Sequence, residues 1–175
     1  MYFANFPVIV YDSVGNGEFK VVTNLLKRVA LRSKVKSNTL LFDTYDVREG
    51  ETPESIADKL YDDSELHWVI LLVNNITDRY HQWPMSYSQF LAFINDKYSD
   101  VDATHHYEIA QTSGDTTIKI DVGTVNTDHP TATLITNFEY EEVRQDEVRK
   151  IRLLDPIYIE PFVAEYERLI AESIL

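Results

Sequence analysis

The segment Tyr45-Asp-Val-Arg-Glu-Gly-Glu-Thr-Pro-Glu-Ser-Ile-Ala57 leaves the backbone few paths to follow. Tyr45 and Val47 alternate as one face of a short strand. Gly50 can take the positive φ that ends it, and Thr52-Pro53 sets an N-cap before the proline that helix position one tolerates. Ile56, Ala57 and Leu60 then recur at helical spacing, so the stretch reads as strand, sharp turn and capped helix. Tyr61-Asp-Asp63 breaks that helix, and Ser64 is expected to cap a second one running from Glu65 to Asn74.

The order Y-x-V-x-x-G-E-T-x-x-x-I-A, followed by Tyr61, Trp68 to Leu72 and Asn74-Asn75-Ile76, resembles the LysM module, a small βααβ unit. Such modules are best known for binding N-acetylglucosamine polymers through the loops after the first strand and before the second. Here the second loop departs from the pattern, reading Thr77-Asp-Arg-Tyr-His-Gln-Trp-Pro84 where a Gly-containing turn and a short apolar strand are expected. The resemblance therefore implies a scaffold kept without its sugar site.

A wider resemblance covers most of the chain. Leu66-His-Trp-Val-Ile-Leu-Leu-Val-Asn-Asn75, Trp83-Pro-Met-Ser86 and Phe90-Leu-Ala-Phe-Ile-Asn-Asp-Lys-Tyr98 are similar to the baseplate wedge subunit of contractile-tailed, T-even-like bacteriophages that carries an embedded LysM-like segment. Phe6-Pro-Val-Ile-Val-Tyr11, Leu25-Leu-Lys-Arg-Val29, Thr136-Asn-Phe-Glu-Tyr-Glu141, Ile151-Arg-Leu-Leu-Asp-Pro156 and Phe162 to Ile170 fit the same family. It implies a structural subunit of the tail baseplate in the virion, made in the bacterial host cytoplasm. Its role would be wedge completion and wedge-to-wedge association around the central hub, with other wedge subunits and neighbouring wedges as partners. The alternatives are a LysM-type peptidoglycan-binding module and the equivalent subunit of another contractile injection system.

The fold class expected is α+β. A LysM-like βααβ core would carry an N-terminal arm and helix, a β-hairpin insertion and a C-terminal helix. The divisions are residues 1–40 for the arm and basic helix, 41–98 for the core and its covering helix, 99–142 for the hairpin and strand region, and 143–175 for a strand and the terminal helix. In detail, Phe3 to Tyr11 reads as an extended arm and Ser13 to Gly17 as a turn. Val22, Leu25, Leu26 and Val29 at i, i+3, i+4 and i+7 predict a helix over Val21 to Leu31. Ser86 and Gln89 form a capping box for a third helix. Tyr107 to Val122 alternates about the Thr112-Ser-Gly-Asp115 turn as a hairpin, Leu134 to Tyr140 reads as a further strand, and a terminal helix is set near Pro161.

The chain of 175 residues is expected to form one domain, or one small core with extensions, and has no apolar run approaching a membrane span. No membrane partner is expected, and no secretory leader is recognisable at Met1. Without cysteine there are neither disulfides nor thiolate metal sites. The net charge of −13 is unevenly spread, since Lys20, Lys27, Arg28, Arg32, Lys34 and Lys36 occupy a segment with no acid. Such a segment is either a solvated helix face or a docking surface that steers an acidic neighbour into register. Nucleic acid is a poor partner, because no aromatic residue is interleaved with these cations and the chain as a whole repels phosphate.

The candidate protein-interface residues are Lys27, Arg28, Arg32, Lys34, Trp83, Phe162 and Tyr166, with Trp83 expected to be exposed in a loop before proline. In the LysM-like motif Tyr45, Val47, Gly50, Thr52, Ile56, Ala57, Tyr61, Trp68 and Asn74 are read as mainly structural, Trp68 as a core residue. His105-His106 with Asp102 offers metal-ligating atoms, but adjacent strand residues point to opposite faces, so no metal site is assigned. Glu139, Glu141 and Glu142 could be imagined as the acid and base of glycoside hydrolysis but read as a solvated strand end. No nucleophile motif, phosphate loop or dinucleotide fingerprint occurs, so neither enzyme activity nor a cofactor is expected, and peptidoglycan is not an expected ligand.

Overall fold

A computed structural model describes residues 6–27, 29–31, 35 and 39–172. The fold is α+β. Seven strands are described: β1 Val8–Tyr11, β2 Lys20–Thr23, β3 Phe42–Asp46, β4 Thr104–Ala110, β5 Lys119–Asp121, β6 Thr133–Thr136 and β7 Lys150–Leu154. The described helices are α1 Pro53–Tyr61, α2 His67–Val73, α3 Arg79–Gln82, α4 Tyr87–Lys97, α5 Asn137–Arg149 and α6 Ile159–Glu172, with short 3₁₀ turns at Thr39–Leu41, Ser64–Leu66 and Pro156–Tyr158. They fall into two compact units, one within Met1–Val47, Glu51–Gln82 and Ile151–Leu175, the other Arg48–Gly50 and Trp83–Lys150. The second is thus an insertion in the sequence of the first.

In the first unit β3 pairs with β7, although more than a hundred residues separate them in sequence. Between them in the chain come α1 and α2, so the unit runs strand, helix, helix, strand. Gly50 takes φ +76° after β3, and Thr52 closes a capping box in which Ser55 N–H donates to Thr52 Oγ1 (3.2 Å) and Thr52 N–H donates to Ser55 Oγ (3.0 Å). Asp62, at φ 55°, ends α1 in the left-handed region. Asp63, rather than Ser64, caps the next turn, its carboxylate accepting from Glu65 N–H at 2.8 Å.

Strand β7 is held by side chains as well as by its ladder. The Asn74 amide acts as a substitute peptide: Nδ2 donates to the carbonyl of Arg152 at 2.8 Å while Oδ1 accepts Arg152 N–H at 2.8 Å. The same Nδ2 also donates to the carbonyl of Ile70 at 2.8 Å, which fixes the end of α2 to the strand. The Tyr61 hydroxyl donates to the carbonyl of Leu154 at 2.9 Å, and burial, chiefly, pushes its pKa up to about 12.

The core of this unit joins Phe6, Trp68, Val69, Val73, Leu154, Tyr166 and Ile170. Trp68 lies 4.3 Å, centroid to centroid, from the Tyr166 ring, so α6 covers α2 through an aromatic pair. Helix α2 is apolar around most of its circumference and buries Trp68, Val69, Ile70 and Val73, as such a helix must.

The expected helix over Val21 to Leu31 is not formed at its start: Lys20–Thr23 is a strand, paired antiparallel with Val8–Tyr11. Three consecutive β-branched residues, Val21-Val22-Thr23, favour extended backbone, and a turn before them returns the chain to β1. In that turn the Asp12 carboxylate accepts N–H bonds from Val14, Gly15 and Gly17 at 3.2, 2.7 and 2.8 Å. Phe3 to Asn5, at the start of the expected arm, lies outside the described residues, as does Arg28 within the expected helix.

In the second unit β4 is the central strand of the order β5-β4-β6. Leu134 to Tyr140 is not a single strand: it changes to helix α5 at Asn137. The signal for that change is Thr136-x-x-Glu139, a capping box in which Glu139 N–H donates to Thr136 Oγ1 (3.2 Å) and Thr136 N–H donates to Glu139 Oε2 (2.9 Å). Phe90 and Ile94 bury one side of α4, and Phe90 meets Phe138 edge to face at 5.7 Å. The ends of the insertion are also tied together, Met85 N–H donating to Gln145 Oε1 (3.1 Å) and Arg149 Nη2 to the carbonyl of Met85 (3.4 Å).

Asn74→Ala removes three hydrogen bonds at the junction of α2 and β7, in a partly exposed place where water replaces some of them. The expected loss is about 1–2 kcal/mol in urea unfolding, seen as a lower midpoint at unchanged slope; an unchanged midpoint would show that the ladder alone holds β7.

Candidate interaction surfaces

The residues of the βααβ segment mostly serve its own packing. Val47, Ile56 and Ala57 are buried and Tyr45, Thr52, Tyr61 and Asn74 half-buried, whereas Gly50 is exposed. Glu51 gathers the turn: it accepts the Tyr45 hydroxyl on Oε2 at 2.7 Å and pairs with Lys59 through Oε1 at 2.6 Å. The turn after β3 is therefore occupied by its own chain's polar groups.

Of the proposed interface residues, Lys27 is half-buried, while Arg28, Arg32 and Lys34 lie outside the described residues. Trp83, expected to be exposed, is buried at 7% exposure. A large ring ahead of proline is enclosed by packing, which a local reading of loop composition does not reveal. Tyr166, at 4% exposure, and half-buried Phe162 face Trp68, with Phe162 at 6.3 Å, so within this chain they are packing residues. On α6, Ile159, Glu160, Val163, Ala164 and Glu167 line a shallow groove with Leu66, and of these Leu66, Ile159 and Val163 also pack against the core.

The acids read as a solvated strand end sit on a helix, and one of them is enclosed. Glu139 caps α5 and Glu142 is exposed, but Glu141 is 5% exposed. Its Oε1 accepts from Lys97 Nζ at 2.6 Å and from the Tyr98 hydroxyl at 2.8 Å. Burial alone would push the Glu141 pKa up; the bonds from Lys97 and Tyr98 more than offset this and hold it below the usual carboxylate value. Glu141 is a structural anion linking α5 to the end of α4.

His105 and His106 also differ from a regular strand. The β4–β6 register places Thr104 opposite Thr136 and His106 opposite Ile135, so His105 is the extra residue of a β-bulge. The bulge turns both rings to one side, with Nδ1 atoms 2.8 Å apart, one donating and the other accepting. His105 stacks on Tyr140 at 3.9 Å, and His106 Nε2 lies 3.0 Å from Glu108 Oε1. The opposite-face rule for neighbouring strand residues fails here because the ladder is interrupted. No group of three or more His, Cys, Asp or Glu placed to hold a metal occurs among the described residues.

Among the described residues the β1–β2 hairpin leaves a group of apolar side chains uncovered. Val8, Val10 and Val21 are 65, 65 and 69% exposed. No described helix is long and apolar enough to cross a membrane.

Replacing Glu141 by Gln tests the buried anion. Because its folded pKa is depressed, the carboxylate contributes stability above its unfolded value near 4.5, and this is lost as pH falls through the folded value. The unsubstituted chain is expected to be the more stable at pH 7, with the difference shrinking below pH 4.5; a pH-independent difference would assign the effect to packing.

A family model described as base plate wedge protein 53 matches residues 1–120. No match is found among curated proteins.

Proposed function

Because the chain belongs to the base plate wedge protein 53 family, and so to the structural proteins of a phage tail base plate, we propose that it completes the wedge and helps adjacent wedges close around the central hub. It is made and assembled in the bacterial host cytoplasm, contacts other wedge subunits, and has no nucleic acid, membrane or cofactor requirement. The carrying observation is the first unit, in which β3 pairs with β7 and the two bracket α1 and α2 in the sequence. A wedge component that meets several neighbours needs such a rigid body with independent contacts. Each modest contact raises the effective concentration for the next.

The strand–helix–helix–strand order of the first unit is consistent with a LysM-like core opened by insertion of Trp83–Lys150 before its last strand. On this reading the loop that a glycan-binding module uses before its second strand is replaced by a folded unit, and the turn at Gly50 to Thr52 is engaged by Glu51 and Ser55. Scaffold use is the reading this favours over peptidoglycan binding. Purified protein is expected to stay in the supernatant when spun with insoluble peptidoglycan. Retention that is lost on substitution at Gly50 to Thr52 would favour the glycan reading.

The basic segment supplies the electrostatic contact. Lys27, Arg28, Arg32 and Lys34 are proposed to meet an acidic surface of a neighbouring subunit. Neutralising Lys27, Arg28 and Arg32 together is expected to slow wedge assembly by about tenfold at low salt and to flatten its salt dependence; an unchanged rate and salt dependence would remove this role.

A further inference from the structure

Val8-Ile9-Val10-Tyr11 is a continuous apolar run, the pattern of a strand buried on both faces rather than one. In the structure it is open on both. Register pairs Val8 with Thr23, Ile9 with Val22, Val10 with Val21 and Tyr11 with Lys20, so one face carries Val8, Val10 and Val21 and the other Ile9, Tyr11 and Val22. The first three are 65, 65 and 69% exposed, the second three 37, 55 and 39%. Among the described residues the sheet has two strands, and each has the other as its principal neighbour.

The root of the hairpin, by contrast, is fixed. Phe6 is buried in the core of the first unit, and Asn24, 2% exposed, donates its N–H to the carbonyl of Pro7 at 2.8 Å. The far end is tied by the Asp12 carboxylate. A two-stranded ribbon is marginal in water by itself, and this one is set at both ends with its apolar side chains uncovered.

Charge and size limit what can cover it. Between Val8 and Thr23 the charged residues are Asp12, Glu18 and Lys20, and Asp12 is taken up by the turn. The cover must therefore be apolar and nearly uncharged. At four residues by two strands, each face measures on the order of 150 Å², against about 800 Å² per partner for a stable interface. A second copy laid on the hairpin would bury too little and leave the other face open. It would also bring together two chains of net charge −13.

We infer that the β1–β2 hairpin inserts into an apolar cleft of a different base plate subunit, which closes over both faces and supplies the rest of the interface elsewhere. This rests on the wedge role proposed above. The hairpin is thus an apolar, salt-insensitive contact beside the basic one.

The test is reconstitution of the wedge from its purified subunits with the full chain, with Val10→Asp/Val21→Asp, and with Val10→Thr/Val21→Thr, which keeps β-branched side chains. Circular dichroism and the fluorescence of buried Trp68 and Trp83 check that each is folded. Incorporation is expected to fall at least tenfold for the aspartate pair and less for the threonine pair. Amide exchange of residues 8–11 and 20–23 in the unsubstituted chain is expected to slow at least tenfold on assembly. Incorporation of all three forms alike, with exchange unchanged, overturns the hairpin contact while leaving the wedge role intact. A free chain that sediments as a dimer, and as a monomer once the valines are replaced, overturns it in favour of a second copy. Failure of even the unsubstituted chain to incorporate overturns the wedge role and this contact with it.

Discussion

The pairing of β3 with β7 is the constraint on which the first unit depends. Two short strands far apart in the chain must meet, and closing so long a loop costs about 4 kcal/mol if the intervening chain is treated as flexible. The insertion is not flexible chain, because its own ends are tied through Met85, Gln145 and Arg149. Folding of the second unit therefore returns the backbone toward its point of departure. Asn74 and Tyr61 then fasten β7 at Arg152 and Leu154, where among the described residues the strand has one neighbouring strand, β3.

This arrangement separates rigidity from contact. Trp68 and Tyr166 commit α2 and α6 to the core, and the turn after β3 is committed to its own polar groups. The exposed valines of the β1–β2 hairpin are not part of that commitment. A structural protein of a base plate meets other base plate proteins, and the apolar and charged contacts proposed above would let each be recognised without interfering with the other.

Local chemistry was legible in the sequence where one short motif fixes the backbone. Gly50, Thr52-Pro53 and Ser86 with Gln89 act within a few residues, and they mark the starts of α1 and α4. The all-round apolar face of α2 similarly required a buried helix. The structure departs from the local pattern where two local signals compete. Val22, Leu25, Leu26 and Val29 carry helical spacing, yet Val21-Val22-Thr23 and the Asp12 turn place the chain in a hairpin. At Thr136 alternation suggests a continued strand, while the Thr136-x-x-Glu139 box ends it. Glu141 and the His105 bulge depend on partners distant in sequence, so no window around them contains the information. The partner of β3 is the same kind of case: it lies beyond the whole insertion.

The most direct test of the account is quantitative mass spectrometry of washed tail particles from the source phage, measuring this chain against other base plate proteins. The account predicts a constant ratio that matches the symmetry of the base plate ring. Absence from washed particles, or a ratio that varies between preparations, would contradict a structural place in the wedge.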